Sequence, residues 1–447
     1  MLFQLPSFIL FFVVFASGLR AIPDAFKKQY ALVASIIFYS FWYVPYTFVL
    51  LGLILFGWLS CQLLSRSGGR LSLLVILSLL PLCYYKYTGF LLSIIGVDEQ
   101  GFHLMLPLGI SFVTFTLISM MIDQVRSKSP PASLLDVGLF ISFFPQLIAG
   151  PILRTQQMMP QLDFLQVKGR QIIYNLPLFA VGIFKKVLIA DPIARYIDPV
   201  FSNPAQYNVL DLAVAMFGFS IQIYCDFSAY SDMAIASAAM LGIKLPENFR
   251  SPYSAHSMNE IWRRWHMTLS LWIRDYLFFP LTRRLKTKLI YLSFLISMTL
   301  SGLWHGANAT FILWGAVHGM LLIIEHGLGY ERWISRTRLR RASGVMFNFL
   351  LWSLVIVLFR SPDLLTAFDF YQGFWQNGLG EFHDDHMLIV GLIAMTLLFH
   401  KFDQVDRIRQ LFVRVSPIIS VSISVGLIMG CSILAASQPQ NFYYFEF

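Results

Sequence analysis

Along the chain, long apolar stretches alternate with short polar ones. A helix crossing the roughly 30 Å hydrocarbon core of a bilayer needs about 20 mostly apolar residues. Stretches of that order recur at 3–19, 29–43, 46–64, 71–95, 104–122, 171–190, 209–243, 289–304, 309–327, 344–360, 387–400 and 416–435. The pattern predicts an all-α polytopic membrane protein with about 11–12 transmembrane helices. The first stretch has no Lys or Arg ahead of it, unlike a cleavable leader. It is expected to stay as a first span with its N-terminus outside.

Charge orients the spans. Arg20, Lys27 and Lys28 follow the first, Arg66 and Arg70 the third, and Arg126 and Lys128 the fifth. The intervening loops at Tyr43–Pro45 and Asp98–Glu99 carry no Lys or Arg. Lys and Arg accumulate in cytoplasmic loops, so this alternation sets the topology and puts the C-terminus outside as well. Two further apolar stretches, 134–150 and 267–280, have basic clusters on both sides, the second between Arg263–Arg264 and Arg283, Arg284, Lys286 and Lys288. A single crossing would strand one cluster outside. Both are therefore expected to be re-entrant, or in the second case to lie along the cytoplasmic face. Pro145 and Gly150–Pro151 would break a helix in the first. The outer loop 361–386 has acidic residues and no Lys or Arg.

Stretch 209–243 would run about 52 Å as one helix, more than the bilayer core, so it must tilt, break or protrude. Gly218 and the polar run from Asp226 to Asp232 are the expected places. No internal repeat or linker divides the chain, and residues 1–447 are expected to form a single integral domain.

Composition narrows the class. Of 447 residues, 57% are hydrophobic and 13% charged, about half the charged fraction of a soluble domain. An ordinary soluble enzyme is excluded, and the 16% aromatic content excludes a disordered chain. The net charge of +9 reads as positive-inside bias, with no nucleic acid implied. Cys61, Cys83, Cys225 and Cys431 lack paired spacing, so neither disulfides nor a structural zinc follow.

Ionisable groups within a membrane are costly, which makes them the first candidates for chemistry. His305 lies in Ser301-Gly-Leu-Trp-His-Gly-Ala-Asn308, between two apolar helices expected to form a hairpin. It is 16 residues in, about 24 Å deep. Gly302 and Gly306 leave room for a substrate or a second helix. A neutral imidazole suits a general base near pH 7; the bland alternative is a packing histidine at a bend. His266 ends Trp262-Arg-Arg-Trp-His266. Arg263 and Arg264 are expected to depress its pKa by like-charge repulsion, and with Trp265 to suit an anionic or carrier-borne group. The alternative is an interfacial anchor. Asp226 shares a helix face with Tyr230 and reads first as a structural ion pair. His318 and His326 read as packing and interfacial residues. The His383-Asp-Asp-His386 run is too weak a pattern to assign a metal. No G-x-S-x-G elbow, P-loop, H-E-x-x-H or Rossmann fingerprint occurs. Base-assisted transfer of a group to a hydroxyl, with His305 as base, is the chemistry best served.

Several stretches carry a resemblance: Leu106-Pro-Leu-Gly-Ile-Ser-Phe112, Phe143-Phe-Pro-Gln-Leu-Ile-Ala-Gly-Pro151, Asp226-Phe-Ser-Ala-Tyr-Ser-Asp232, Pro246-Glu-Asn-Phe-Arg250, Trp262-Arg-Arg-Trp-His-Met-Thr-Leu-Ser270, Gly302-Leu-Trp-His-Gly306 and the aromatic ending 441–447. In this order they resemble the bacterial membrane-bound O-acyltransferase superfamily, on the branch of alginate and peptidoglycan O-acetylation membrane proteins. Ala229, Ile261 and Thr282-Arg-Arg284 depart from the usual pattern. The resemblance implies a ring of helices around a thinned centre with a funnel, His305 as catalytic histidine and His266 as the second signature histidine. It implies an acyl donor from the cytoplasm (acetyl-CoA or an acyl carrier) as co-substrate, with no bound cofactor. The acceptor would be a cell-surface polysaccharide or peptidoglycan, or an extracytoplasmic acyltransferase partner of the SGNH type. Arg263, Arg264, Trp265, Asp226, Trp304 and Asn308 become candidate substrate- or donor-binding residues, and the location a bacterial inner membrane. Rival readings are D-alanyl transfer to teichoic acid, a transporter or flippase, and an inactive scaffold.

Overall fold

A computed structural model describes residues 2–96, 105–128, 130–148, 150–285, 289–438, 440 and 442–443. The Asp98–Glu99 loop, Lys286, Lys288 and most of the 441–447 ending lie outside the described residues. Every regular element among the described residues is helical. Among the described residues, eight helices are long and apolar enough to cross a membrane: Val44–Arg66, Gly68–Ile94, Gly169–Ser202, Val209–Met240, Ala309–Leu328, Arg338–Arg360, Asp384–Phe402 and Pro417–Ser437. Pro6–Ala21 and Ile290–His305 are shorter apolar helices. The predicted stretches 29–43 and 104–122 correspond to helices Lys27–Ser40 and Ile110–Ser127.

The chain divides into two compact units. The first comprises Met1–Ile183, Ala229–Glu247 and Arg409–Glu446. Its core is a phenylalanine cluster in which Phe144 meets Phe15, Phe38 and Phe11 at ring distances of 5.2–5.4 Å. Stretch 134–150 forms only short helices, Leu134–Ser142 and Phe144–Leu147, neither able to cross. At the break before Pro145, the Phe144 N–H donates to Ser35 Oγ at 3.2 Å, so an exposed backbone donor is satisfied inside the bundle. Lys28 anchors the start of this stretch through Asp136 at 2.6 Å, and also reaches Asp163. Gly109 adopts φ +69° where a Cβ would press on the Leu147 carbonyl oxygen. Only glycine lets the 106–112 turn pass the 143–151 segment this closely.

The second unit comprises Phe184–Ser228 and Asn248–Ile408. Its tightest pairing is the hairpin of Ile290–His305 and Ala309–Leu328. A Cβ at Gly302 would collide with the Phe311 carbonyl oxygen, one at Gly306 with the Phe311 ring, and one at Gly315 with the Met298 carbonyl oxygen. Gly302 and Gly306 thus serve the close approach of the two helices. Small residues drive such contact where lipid gives no hydrophobic incentive to associate.

Of the outcomes open to stretch 209–243, a break is the one the structure excludes. Val209–Met240 is one unbroken helix, about 48 Å long, running through Gly218 and the polar run. Gly218 packs instead against Ile193 and Ile197, and Asp226 and Ser228 have partners that remove the reason to unwind. The outer loop 361–386 contains a helix, Leu364–Gln376, capped by Asp363 accepting from the Thr366 N–H at 2.8 Å.

Gly302→Ala should destabilise the purified protein by about 1–3 kcal/mol, the usual cost of overpacking. Gly391→Ala, at a helical glycine with open space around it, should leave stability unchanged or raise it by up to about 1 kcal/mol. Thermal unfolding in detergent compares the two.

Candidate active site

The second unit gathers the residues of interest. Helix Ile290–His305 ends on His305, and Gly306 turns the chain into extended backbone. Asn308 then caps the next helix, accepting from the Thr310 N–H at 3.1 Å, while its amide donates to the Pro362 carbonyl. Asn308 therefore holds the corner that presents His305. The His305 ring is 4% exposed and sits among Trp304 at 4.8 Å, Phe359 at 5.2 Å and Trp314 at 5.4 Å, all edge-on.

His266 starts helix Met267–Ile273 with a left-handed backbone, φ +43°, a conformation that costs a non-glycine residue of order 1 kcal/mol or more. Asn248 supports it. Asn248 Oδ1 lies 3.2 Å from His266 Nδ1 and also accepts from the Thr268 N–H at 3.2 Å and Oγ1 at 2.9 Å. An amide oxygen only accepts, so the network assigns the proton to Nδ1 and the lone pair of the neutral ring to Nε2. Burial pushes the His266 pKa down to about 3. The cause differs from the one expected: desolvation does this, and the neighbouring arginines are otherwise engaged. Arg264 binds Glu260 at 2.6 Å and Arg263 binds Glu331 at 2.9 Å. Burial opposes ionisation of Glu260, but the His256 N–H and Arg264 outweigh it and hold the carboxyl below its ordinary range.

The two histidines share a neighbour. Trp304 lies 6.4 Å from the His266 ring and 4.8 Å from the His305 ring. The aromatic wall continues through Trp314 to His318 at 4.7 Å, and His318 also packs on Trp262 and Trp352 at 5.3 and 5.4 Å. Beside Met267 opens a cavity of about 400 Å³ lined in part by Trp262, Arg263, Ser270, Arg274 and Ser297. Trp265 faces away from it, packed on Phe249 and Trp352 at 5.1 and 5.0 Å. Trp262 is the tryptophan that lines it.

Asp226 also lies elsewhere, in a buried charge cluster. Lys186 contacts Asp226 at 2.7 Å and Asp191 at 2.8 Å, all three within 5% exposure. Next to it Lys185 binds Asp403 at 3.0 Å and Ser228 Oγ at 3.0 Å, and Tyr224 donates to Asp403 at 2.7 Å. The sequence signal for this cluster is the pair of adjacent cations, Lys185 and Lys186, inside the apolar stretch 171–190. Both lie where the helix loosens into a π-turn, Lys185–Ala190, a feature frequent at special sites. His386 is committed too: Nε2 meets Asp211 at 2.7 Å and Nδ1 accepts from the His383 N–H at 3.0 Å.

Among the described residues the chain is all-helical, with helices of membrane-crossing length and two buried histidines against one tryptophan. The chain belongs to the membrane-bound O-acyltransferase family, whose model matches residues 46–361. It is a multi-pass membrane O-acyltransferase. A probable alginate O-acetylase of Pseudomonas aeruginosa is 34% identical over 424 residues, 89% of this chain and 79% of the relative. The peptidoglycan O-acetyltransferase of Helicobacter pylori is 33% identical over 418 residues, 83% and 79% of the two chains. The teichoic acid D-alanyltransferase of Bacillus subtilis is more distant, 28% identical over 298 residues, 63% of this chain and 73% of the relative.

Two measurements check this geometry. The unfolded His266 ring takes up a proton near its ordinary 6.5, the folded ring only near 3. Stability from the neutral ring is thus complete above pH 6.5 and lost as pH falls toward 3, by up to about 1.4 kcal/mol per pH unit. Unfolding midpoints should fall on acidification, and fall less in His266→Gln. Lys186→Met leaves buried carboxylates without their cation and should cost about 3–5 kcal/mol, read as a large loss of thermal stability in detergent.

Proposed function

We propose that this protein is an inner-membrane O-acetyltransferase. It takes acetyl from a cytoplasmic thioester donor and passes it to hydroxyls of a surface polysaccharide or peptidoglycan. The recipient is either the polymer itself or an extracytoplasmic acyltransferase partner of the SGNH type. His305 is the general base. It draws the proton from the accepting hydroxyl as that oxygen attacks the thioester carbonyl; the carbon–sulfur bond breaks and the proton passes to the departing thiolate. An ester and a free thiol result, with no cofactor required.

The observation behind the proposal is the packing of His305 and His266 against the single ring of Trp304. The rings of Trp304, Trp314 and Phe359 around His305 form an apolar wall that keeps bulk water from the thioester. The cavity beside Met267 suits the donor: Arg263 and Arg274, paired with Glu331 and Asp275, line it where an anionic group would compete for them, and apolar and aromatic side chains cover its stem. Trp265 packs on Trp352, the neighbour of His318 in this wall, Arg264 is held by Glu260, Asn308 fixes the His305 corner, and Asp226 stabilises the bundle. The names of the alginate and peptidoglycan relatives favour acetyl and a polysaccharide acceptor. We read residues 1–447 as one functional domain with both termini outside, an orientation supported by the distribution of Lys and Arg.

The test is ester-linked acetyl on surface polymers of a deletion strain complemented with wild type, His305→Ala or His305→Gln at matched membrane levels. Both variants should lower acetylation at least a hundredfold, within the usual range for loss of a general base. Full acetylation in His305→Gln would remove the base assignment. Unchanged acetyl in the deletion itself, with loss of D-alanyl esters, would transfer the reading to the teichoic acid branch.

A further inference from the structure

The first unit contains a cavity of about 280 Å³ that the proposed chemistry does not use. Helices Pro6–Ala21, Gly169–Phe184 and Pro417–Ser437 and the end of Val209–Met240 form its walls, with Phe12, Phe179, Met240 and Ile428 among the apolar lining. Along the first helix the lining runs from Phe8 to Arg20, about 18 Å at helical rise. That is close to one leaflet, half of the roughly 30 Å hydrocarbon core.

The polar groups lie where a lipid would need them. Arg20 stands exposed in the last turn of Pro6–Ala21, and no carboxylate pairs with it among the described residues. Its position after the first span places it at the cytoplasmic interface by the charge pattern of the chain, on the leaflet side where anionic lipids attract basic groups. Ser237 also lines the cavity; it is 1% exposed, and its hydroxyl has no hydrogen-bond partner among the described residues. A buried hydroxyl that stays unpaired is costly, and an ester carbonyl is a suitable acceptor.

We propose that this cleft binds one anionic diacyl phospholipid, with an acyl chain along Phe12 and Phe179, an ester carbonyl at the Ser237 hydroxyl and the phosphate at Arg20. The site is independent of the acyl-transfer reading. The full chain, purified in detergent, is incubated with phosphatidylglycerol or with phosphatidylcholine of the same acyl chains, and bound lipid is counted by native mass spectrometry. Wild type should retain phosphatidylglycerol in preference, and glycerol phosphate should not compete. Arg20→Gln should lower that preference about tenfold, while Arg20→Lys keeps most of it. Ala16→Phe, which fills the cavity, should lose both lipids; Val13→Trp, from the exposed rim, does the same without touching packed positions. An unchanged preference in Arg20→Gln, or full lipid retention in a folded Ala16→Phe or Val13→Trp, would overturn the proposal.

Discussion

A charge inside an apolar bundle has to be neutralised where it stands. Lys186, with Asp226 on one side and Asp191 on the other, meets that demand in the second unit. The cluster ties the π-turn at Lys185–Ala190 to the middle of Val209–Met240, and the Lys185–Asp403–Tyr224 set repeats the solution beside it. Each partner taken alone is a liability of several kcal/mol. Together they let a helix with Asp226 and Ser228 stay straight. The segments that carry the histidines belong to the same unit, and their backbone rests on side chains satisfied in the same way: Glu325 accepts from the Met258 and Asn259 N–H groups, and Asn348 donates to the Ala255 and Ser257 carbonyls.

The histidines themselves are treated differently. Their surroundings are rings, and rings offer shape and low polarity instead of counter-charge. His305 meets three of them edge-on, and His318 lies one tryptophan further along the same wall. An imidazole so placed is held in orientation without a counter-charge. The arginines that flank His266 in sequence are drawn off by Glu260 and Glu331, which keeps their charge from the imidazole.

Much of this was readable from the residues alone. Apolar length located every long helix, because crossing a bilayer imposes a minimum that sequence displays directly. His305 at the end of its helix followed from the glycine and apolar pattern around it. What could not be read was pairing between distant positions. Nothing near Asp226 announces Lys186, so the polar run looked like a breaking point. Trp262 and Trp265 differ by three residues and look alike in sequence, yet one lines the cavity and the other fills the core. The lowered basicity of His266 was expected from its arginine neighbours, but three-dimensional burial is what produces it. The Leu364–Gln376 helix was hidden within a loop defined only by its charge.

One detail of His266 reaches further. Its backbone sits at φ +43°, a region glycine enters freely and most residues avoid. Sterics alone would choose glycine at this point, while the bond to Asn248 and the proposed chemistry choose imidazole. His266→Gly would relieve that strain, yet it would empty a buried site against Phe227, Phe249 and Trp304, break the bond to Asn248 and loosen the unfolded chain. The backbone is held in an unfavourable turn by the ring that the turn positions.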